Sequence, residues 1–309
     1  MADWGLIAIR FALYADLMLL VGLSAFPLYS FTRAERNARE IMPIGTLLIW
    51  LIVAGMAFSA AGFAVASAAM MGEPVGSLNL PMLSMMASET AVGAALKVCL
   101  WALTVVLASL VFIRRNQTAR LGCSLVGGSV ALATLLWAGH AGATEGALGV
   151  AHRISDIAHM IAAAVWIGGI GAFALLLRRP AQIQSAAHVI VVVRSLENFS
   201  HVGTAAVGIV VLTGIFNGFV ILGADVSPIF YSTYGLLLLA KVALFAVMLV
   251  LSANNRWKIT PSLKQSLHSG GTETAWKQLR LSIAWEATAG AAVLALVAWL
   301  GTLAPTASY

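Results

Sequence analysis

The chain has 309 residues, of which 61% are hydrophobic and only 10% are charged. Soluble domains carry about 25% charged residues, so this composition excludes an ordinary soluble protein and indicates one that crosses a membrane repeatedly. The formal net charge of +6 comes from basic residues scattered among polar connections. That distribution predicts the lipid bilayer as a partner and no nucleic acid.

Predominantly apolar segments recur along the chain at about 20 residues each, the length that crosses about 30 Å of hydrocarbon. We therefore predict an all-α fold, a polytopic membrane bundle of eight transmembrane helices in a single domain over residues 1–309. No cleavable signal peptide is predicted, so the first segment is expected to remain as a span. The segments are 5–29, 41–70, 91–113, 121–139, 154–177, 201–223, 233–253 and 281–304.

Basic residues mark the loops of a multi-pass protein that stay in the cytoplasm. Here they accumulate in alternate loops, whereas the loops between them are mostly acidic, so both termini are predicted to face the trans side. The basic residues of the predicted cytoplasmic loops are Arg33, Arg36, Arg39, Arg114, Arg115, Arg120, Arg178, Arg179, Arg194, Arg256, Lys258, Lys264, Lys277 and Arg280.

A run of metal-ligand residue types joins the fourth and fifth segments. It begins at His140, passes Glu145 and continues with His152, Asp156 and His159. On a helix the last three residues fall within about 60° of one another, so two imidazoles and a carboxylate share one face at the mouth of a span. Ionisable groups in such a place are costly and indicate function. Imidazole suits copper, zinc and haem iron, and residue types alone do not choose among them.

The fifth segment also contains small residues, Gly168, Gly169 and Gly171. Small residues let membrane helices approach closely, which predicts that this helix lies near the centre of the bundle.

Methionines form a second group in the trans-side connection between the second and third segments. Met82, Met85 and Met86 are at helical spacing. Thioethers are soft donors that select Cu(I), although methionine is also a common apolar filler. An exposed position in a trans-side loop, away from a core, keeps the metal-binding interpretation open.

Several ionisable residues lie inside the predicted spans. Arg10, Lys97 and Lys241 are about 9–12 Å from the trans ends of their segments, close in depth to the fifth-segment ligand face. They could form structural ion pairs or bind an anionic group such as a haem propionate. Asp16 and Glu286 lie deeper and could continue a cation or proton route.

Several of the polar residues described above, together with the apolar stretches around them, resemble those of the bacterial copper resistance protein D family (CopD). Members of this family are inner-membrane proteins encoded with the periplasmic copper protein CopC. The order and spacing of the matches, over nearly the whole chain, make the resemblance specific. Two positions depart from the family pattern: Cys99 stands where a basic residue is expected, with Lys97 nearby, and His201 replaces a small residue and adds a candidate ligand. The matching stretches are 10–22, 137–141, 145–146, His152, Asp156, His159, 162–166, 212–214, 234–235, Lys241, 254–256, Glu286 and 301–305.

The resemblance implies a multi-pass protein of the bacterial inner membrane, with periplasmic termini, that accepts copper and assists its movement toward the cytoplasm. CopC is the implied donor, and the sequence leaves open whether the chain forms a homo-oligomer. No catalytic residues are predicted, because Walker, hydrolase and nucleotide-loop motifs are absent from the sequence. The predicted metal ligands are His140, Glu145, His152, Asp156, His159, Met82, Met85, Met86 and His201.

Two alternatives stay open at this point. The first is a membrane redox protein in which histidines from two helices ligate haem b and the layer of Arg10, Lys97 and Lys241 holds its propionates. The second is a sensor or assembly partner of CopC that moves no copper itself.

Overall fold

The computed structural model of the protein describes residues 4–38, 41–113, 115–138, 146–178, 185–223, 227–269 and 272–303. These ranges are almost wholly helical and contain no strand, which confirms the all-α prediction. The helices are α1 (Trp4–Ser30), α2 (Arg33–Asn37), α3 (Gly45–Met71), α4 (Leu80–Glu89), α5 (Ala91–Phe112), α6 (Gln117–Ala133), α7 (Gly146–Leu176), α8 (Ala186–Leu222), α9 (Thr233–Asn254), α10 (Thr260–Ser269) and α11 (Thr272–Leu300).

Within the described ranges, 8 helices are long and apolar enough to cross a membrane, namely α1, α3, α5, α6, α7, α8, α9 and α11. The predicted number and order of spans are therefore confirmed. Four of these helices begin at least four residues earlier than predicted, at Gln117, Gly146, Ala186 and Thr272 rather than at 121, 154, 201 and 281. Hydropathy identifies the part of a helix that matches the hydrocarbon layer, whereas the helix itself continues through polar turns beyond it.

The short helix α4 is held firmly against the start of α5. Thr90 caps α5 by accepting a hydrogen bond from the amide of Gly93 at 3.0 Å, and its hydroxyl donates to the carbonyl of Met86 at 2.6 Å. A Cβ at Gly93 would lie 2.5 Å from the backbone of Ala87, so glycine is needed for this approach. Two helices joined by one capping residue place the methionines beside the third span.

The centre of the bundle is the contact between α1 and α7. A Cβ placed on Gly22 would lie 2.1 Å from the carbonyl oxygen of Ala164, and one on Gly168 would lie 2.2 Å from the Cα of Gly22. Helix α1 also packs against α3, α6, α8 and α11. The predicted close approach at Gly168 and the central position of the fifth span are confirmed.

The first and last helices also meet, so both halves of the chain contribute to one bundle. The rings of Trp4 and Trp299 lie 5.6 Å apart where α1 begins and α11 ends. At the opposite end, Arg194 of α8 forms an ion pair of 2.5 Å with Glu35 in α2. The single-domain description of the chain stays a prediction.

We expect Gly22→Ala to lower the stability of the bundle by about 1–3 kcal/mol, because the added methyl group overlaps the backbone of α7. Gly208→Ala on α8 is the matched control, since nothing lies within 4 Å of a Cβ placed there. Thermal unfolding of both purified variants in detergent measures the difference. Equal Tm values for the two variants would contradict the close α1–α7 contact.

Candidate metal-binding site

The predicted ligand face lies on α7, well inside the helix. From Gly146 to His159 the helix rises about 20 Å, so the face is farther from the start of the helix than the predicted span placed it. His152 is buried, with 1% of its surface exposed, whereas Asp156 and His159 are partly buried. Because α7 begins at Gly146, eight residues before the predicted start of the span, the three residues lie inside the helix bundle rather than at its edge.

His159 is oriented by α8. Its Nδ1 lies 2.9 Å from Oγ1 of Thr213, whose hydroxyl donates to the carbonyl of Ile209 at 2.5 Å. Because that hydroxyl hydrogen is already used, Nδ1 carries the proton and donates to Thr213. Nε2 then keeps its lone pair, the arrangement that a metal-binding histidine needs.

The neighbouring glycine makes room for this imidazole. A Cβ on Gly214 would lie 3.4 Å from Cε1 of His159, so the ring packs directly on the backbone of α8. Thr213 therefore accepts the hydrogen bond from the imidazole of His159, and the backbone at Gly214 packs against that ring.

Asp156 is oriented by the same helix, one turn farther along. The side-chain amide of Asn217 donates from Nδ2 to Oδ1 of Asp156 at 3.2 Å. Thr213 and Asn217 are four residues apart, so they lie on one face of α8 and meet His159 and Asp156 on the facing helix.

Lys241 of α9 belongs to the same neighbourhood. Its charge acts on both Asp156 and His159, and the Asp156 carboxylate also interacts electrostatically with His152. A lysine would repel a metal cation if it stood alone. The carboxylate of Asp156 offsets that charge and keeps the site open to a positively charged ligand.

The two histidines of α7 are too far apart along the helix to share an ion easily. Seven residues correspond to a rise of about 10.5 Å. Two nitrogens on one ion can be separated by only about 4 Å, twice a typical bond of about 2 Å. His152 and His159 are therefore not expected to bind the same ion, and Asp156 lies between them along α7.

The remaining members of the predicted run, His140 and Glu145, lie outside the described residues. Within the ranges that the structure describes, no three His, Cys, Asp or Glu side chains gather closely enough to hold a metal ion. The described part of the site thus offers one oriented imidazole with carboxylate support, and a complete coordination shell needs further donors.

The methionines of α4 differ from one another in accessibility. Met85 is 51% exposed and Met82 is partly buried, but Met86 is buried at 7%. Helical spacing is confirmed, whereas the expectation that all three lie exposed and away from a core fails for Met86. Its burial follows from the packing of α4 on α5, which the spacing of the methionines does not show.

Three other predicted site residues lie apart from the contact between α7 and α8. A Cβ at Gly301 would lie 2.6 Å from Nη2 of Arg10, so that guanidinium packs where α11 ends. Lys97 is exposed and lines a groove between α5 and α6. His201 is exposed on α8, about 18 Å along the helix from Thr213, and its Nδ1 lies 3.0 Å from the carbonyl of Glu197. Their proposed binding roles stay predictions.

Asp16 occupies a separate buried position between α1 and α3. A Cβ on Gly55 would lie 2.7 Å from its Oδ2, and the residue is 6% exposed. One turn along α3, the hydroxyl of Ser59 lies 3.4 Å from the Cys99 thiol. Polar groups therefore continue through the interior on this side of α1.

The sequence prediction did not include Asn217 and gave Thr213 no role. A signal was present, because two polar residues four positions apart interrupt an otherwise apolar span. Such a pair on one helix face indicates a polar partner on a neighbouring helix.

Comparison with known proteins adds to this geometry. The family described as "Copper resistance protein D-like, N-terminal domain" matches residues 1–150, and the one described as "Copper resistance protein D" matches residues 193–300. The chain is 39% identical over 300 residues to Copper resistance protein D of Pseudomonas syringae pv. tomato, covering 97% of this chain and 96% of that one.

Two further relatives carry names of the same kind. Inner membrane protein YebZ of Escherichia coli (strain K12) is 26% identical over 307 residues, covering 97% of this chain and 98% of that one. Copper transport protein CutJ of Bacillus subtilis (strain 168) is 35% identical over 104 residues, covering 32% of this chain and 18% of that one. No solved structure matches the chain.

The eight apolar helices and the polar face enclosed by them define a multi-pass protein of the inner membrane. Within that class, the chain belongs to the copper resistance protein D family. The predicted family and localisation are confirmed, and the protein is a copper-related membrane protein.

We expect Thr213→Val to weaken Cu(I) binding about 10- to 100-fold, because removing the acceptor releases the tautomer and the ring orientation of His159. Thr104→Val is the matched control, since the Thr104 hydroxyl is exposed and bonds within its own helix to the carbonyl of Leu100 at 2.7 Å. Competition with a chromophoric Cu(I) chelator measures both affinities. Equal affinities would remove Thr213 from the site.

Proposed function

We propose that this protein accepts copper at the periplasmic face and assists its movement toward the cytoplasm. The supporting observation is the orientation of His159, whose Nδ1 lies 2.9 Å from Oγ1 of Thr213 on the facing helix. The acidic and basic loops alternate as expected for periplasmic termini, and this alternation supports a periplasmic position for the start of α7.

In this proposal copper moves by exchange between ligands. Met82 and Met85, with Met86 at the edge of the core, capture Cu(I) because thioethers are soft donors. His140 and Glu145 complete a first position with His152. His159 forms the next position, and Asp156 between the two histidines lowers the electrostatic cost of a cation passing Lys241.

Buried carboxylates also lie on two other helices of the bundle. Asp16 and Glu286 are 6% and 1% exposed, and both lie in the middle part of their helices. Buried carboxylates inside a membrane bundle are expensive to maintain, which supports a role in carrying cations or protons. The donor at the periplasmic face is proposed to be CopC, as the family resemblance implies.

The haem alternative has weaker geometric support. It needs two histidines on facing helices. Among the described residues, His152 and His159 lie on one helix and His201 is about 18 Å along α8 from Thr213, whereas His140 lies outside those residues. Of the predicted basic layer, Lys241 acts electrostatically on Asp156 and His159 of the α7 face.

Copper uptake into proteoliposomes tests the proposal. Purified protein is reconstituted with a Cu(I) indicator trapped inside, and external Cu(I) is supplied on a chelating buffer. We expect wild-type vesicles to fill and the His152→Ala/His159→Ala variant to fill no faster than empty vesicles, because both positions of the relay are lost. His188→Ala is the matched control for removal of an imidazole from α8, because that side chain has no proposed metal role and its Nε2 lies 3.1 Å from the carbonyl of Leu176.

Each variant must first elute as a monodisperse species with an unchanged Tm, so that loss of uptake is not loss of folding. Uptake by the double variant at the wild-type rate would refute the histidine route. If the wild-type protein bound copper but vesicles took up none, the transport proposal would be refuted and the sensor or assembly alternative would be favoured.

A further inference from the structure

A second polar site lies away from His152 and His159. It is a cavity of about 180 Å³ between α7, α8, α9 and α11. Most of its wall is apolar, with Phe173 and Phe199 among the lining residues. The polar residues that line it are Ser200, Thr204, Ser252, Asn255, Arg256, Thr260 and Glu286.

A local change in helix geometry forms one wall of the cavity. Helix α9 ends at Asn254, and residues Asn255–Ile259 form a π-helical turn before α10 begins. The hydroxyl of Thr260 donates to the carbonyl of Asn255 at 2.8 Å across this turn. A π turn shifts the register of side chains on a helix and is frequent at functional sites. Here Asn255 and Arg256 both line the cavity.

Glu286 is the buried charge of this site. It is 1% exposed, and Oε1 accepts a hydrogen bond from Nδ2 of Asn255. The two ion pairs found among the described residues join Arg194 to Glu35 and Lys264 to Glu197, so neither neutralises Glu286. Arg256 lines the same cavity, but its Nη1 donates to Thr204 at 2.9 Å.

Two further oxygen atoms are buried beside this carboxylate with no hydrogen-bond partner. They are Oδ1 of Asn255, a residue that is 7% exposed, and Oγ of Ser200. An unpaired buried polar atom costs about 1–3 kcal/mol, and in native proteins it generally indicates a missing water, ion or ligand. The carboxylate, the amide oxygen and the hydroxyl line one small cavity and are all hard donors.

This donor set is wrong for Cu(I), which prefers sulfur and imidazole. Oxygen atoms around a broken helix suit protons and alkali cations instead. A divalent ion is disfavoured, because Glu286 is the one carboxylate among the lining residues and Arg256 adds a positive charge. Glu286 and Arg256 are the charged groups that line the cavity, and α7 and α8 contribute neutral side chains to it.

We propose that the cavity binds a small hard monovalent cation, either a proton on Glu286 or Na⁺ held by Glu286, Asn255 and Ser200, and that this is the ion whose movement is coupled to copper. The coupling rests on the proposed copper route, whereas the binding does not.

Binding is tested on the full-length, copper-free protein in detergent. We expect one of two signals at neutral pH, where exposed carboxylates are ionised: a carboxylic-acid infrared band, for a proton, or saturable binding of ²²Na⁺, for sodium. Either signal should be lost in Glu286→Gln and kept in Glu89→Gln, an exposed glutamate at the end of α4. Ser200→Ala should weaken Na⁺ binding and leave the infrared band in place.

A folded Glu286→Gln protein that keeps the wild-type signal would overturn the proposal. So would the absence of both signals in the wild type, which needs no variant to fold. Copper uptake is then driven with a proton or Na⁺ gradient. Uptake that responds to neither gradient would overturn the coupling while leaving the histidine route intact, so the two proposals fail separately.

Discussion

The close contact between α1 and α7 determines where the polar groups of this protein can lie. Gly22 and Gly168 let the two backbones approach so closely that α7 becomes the centre of the bundle. A central helix can present a polar face to α8 and α9 without exposing it to lipid, where an unsatisfied polar group would be very costly. The pairing of His159 with Thr213 and of Asp156 with Asn217 depends on that position.

The bundle separates two kinds of chemistry. Sulfur and imidazole donors occur on α4 and α7, toward the predicted periplasmic side, whereas Glu286 and its oxygen neighbours occupy the other half. Soft and borderline donors suit copper, and hard donors suit protons or alkali ions. In the proposed mechanism, this separation lets one protein bind two cations without competition for the same ligands. The apolar walls around each group keep water scarce and electrostatic interactions strong.

Much of the architecture could be predicted from the sequence because hydrophobic length and the positions of Gly168, His152 and His159 are local signals. Helix ends were less predictable, since α7 extends past the hydrocarbon layer to Gly146. The burial of Met86 and the exposure of Lys97 depend on which helices pack against α4 and α5. Tertiary packing determines these neighbours, whereas the helical repeat in a sequence shows only which residues share a face. Asn217 was missed for the same reason, because its role exists only opposite Asp156.

The central claim is that an α7 imidazole binds copper directly. X-ray absorption at the copper edge of the Cu(I)-loaded protein tests it, comparing wild type with His159→Ala and with the Thr104→Val control. We expect the wild type to show nitrogen neighbours with the outer-shell scattering of imidazole, and that scattering to decrease in His159→Ala alone. A spectrum with only sulfur and oxygen neighbours, or one unchanged in His159→Ala, would contradict the claim.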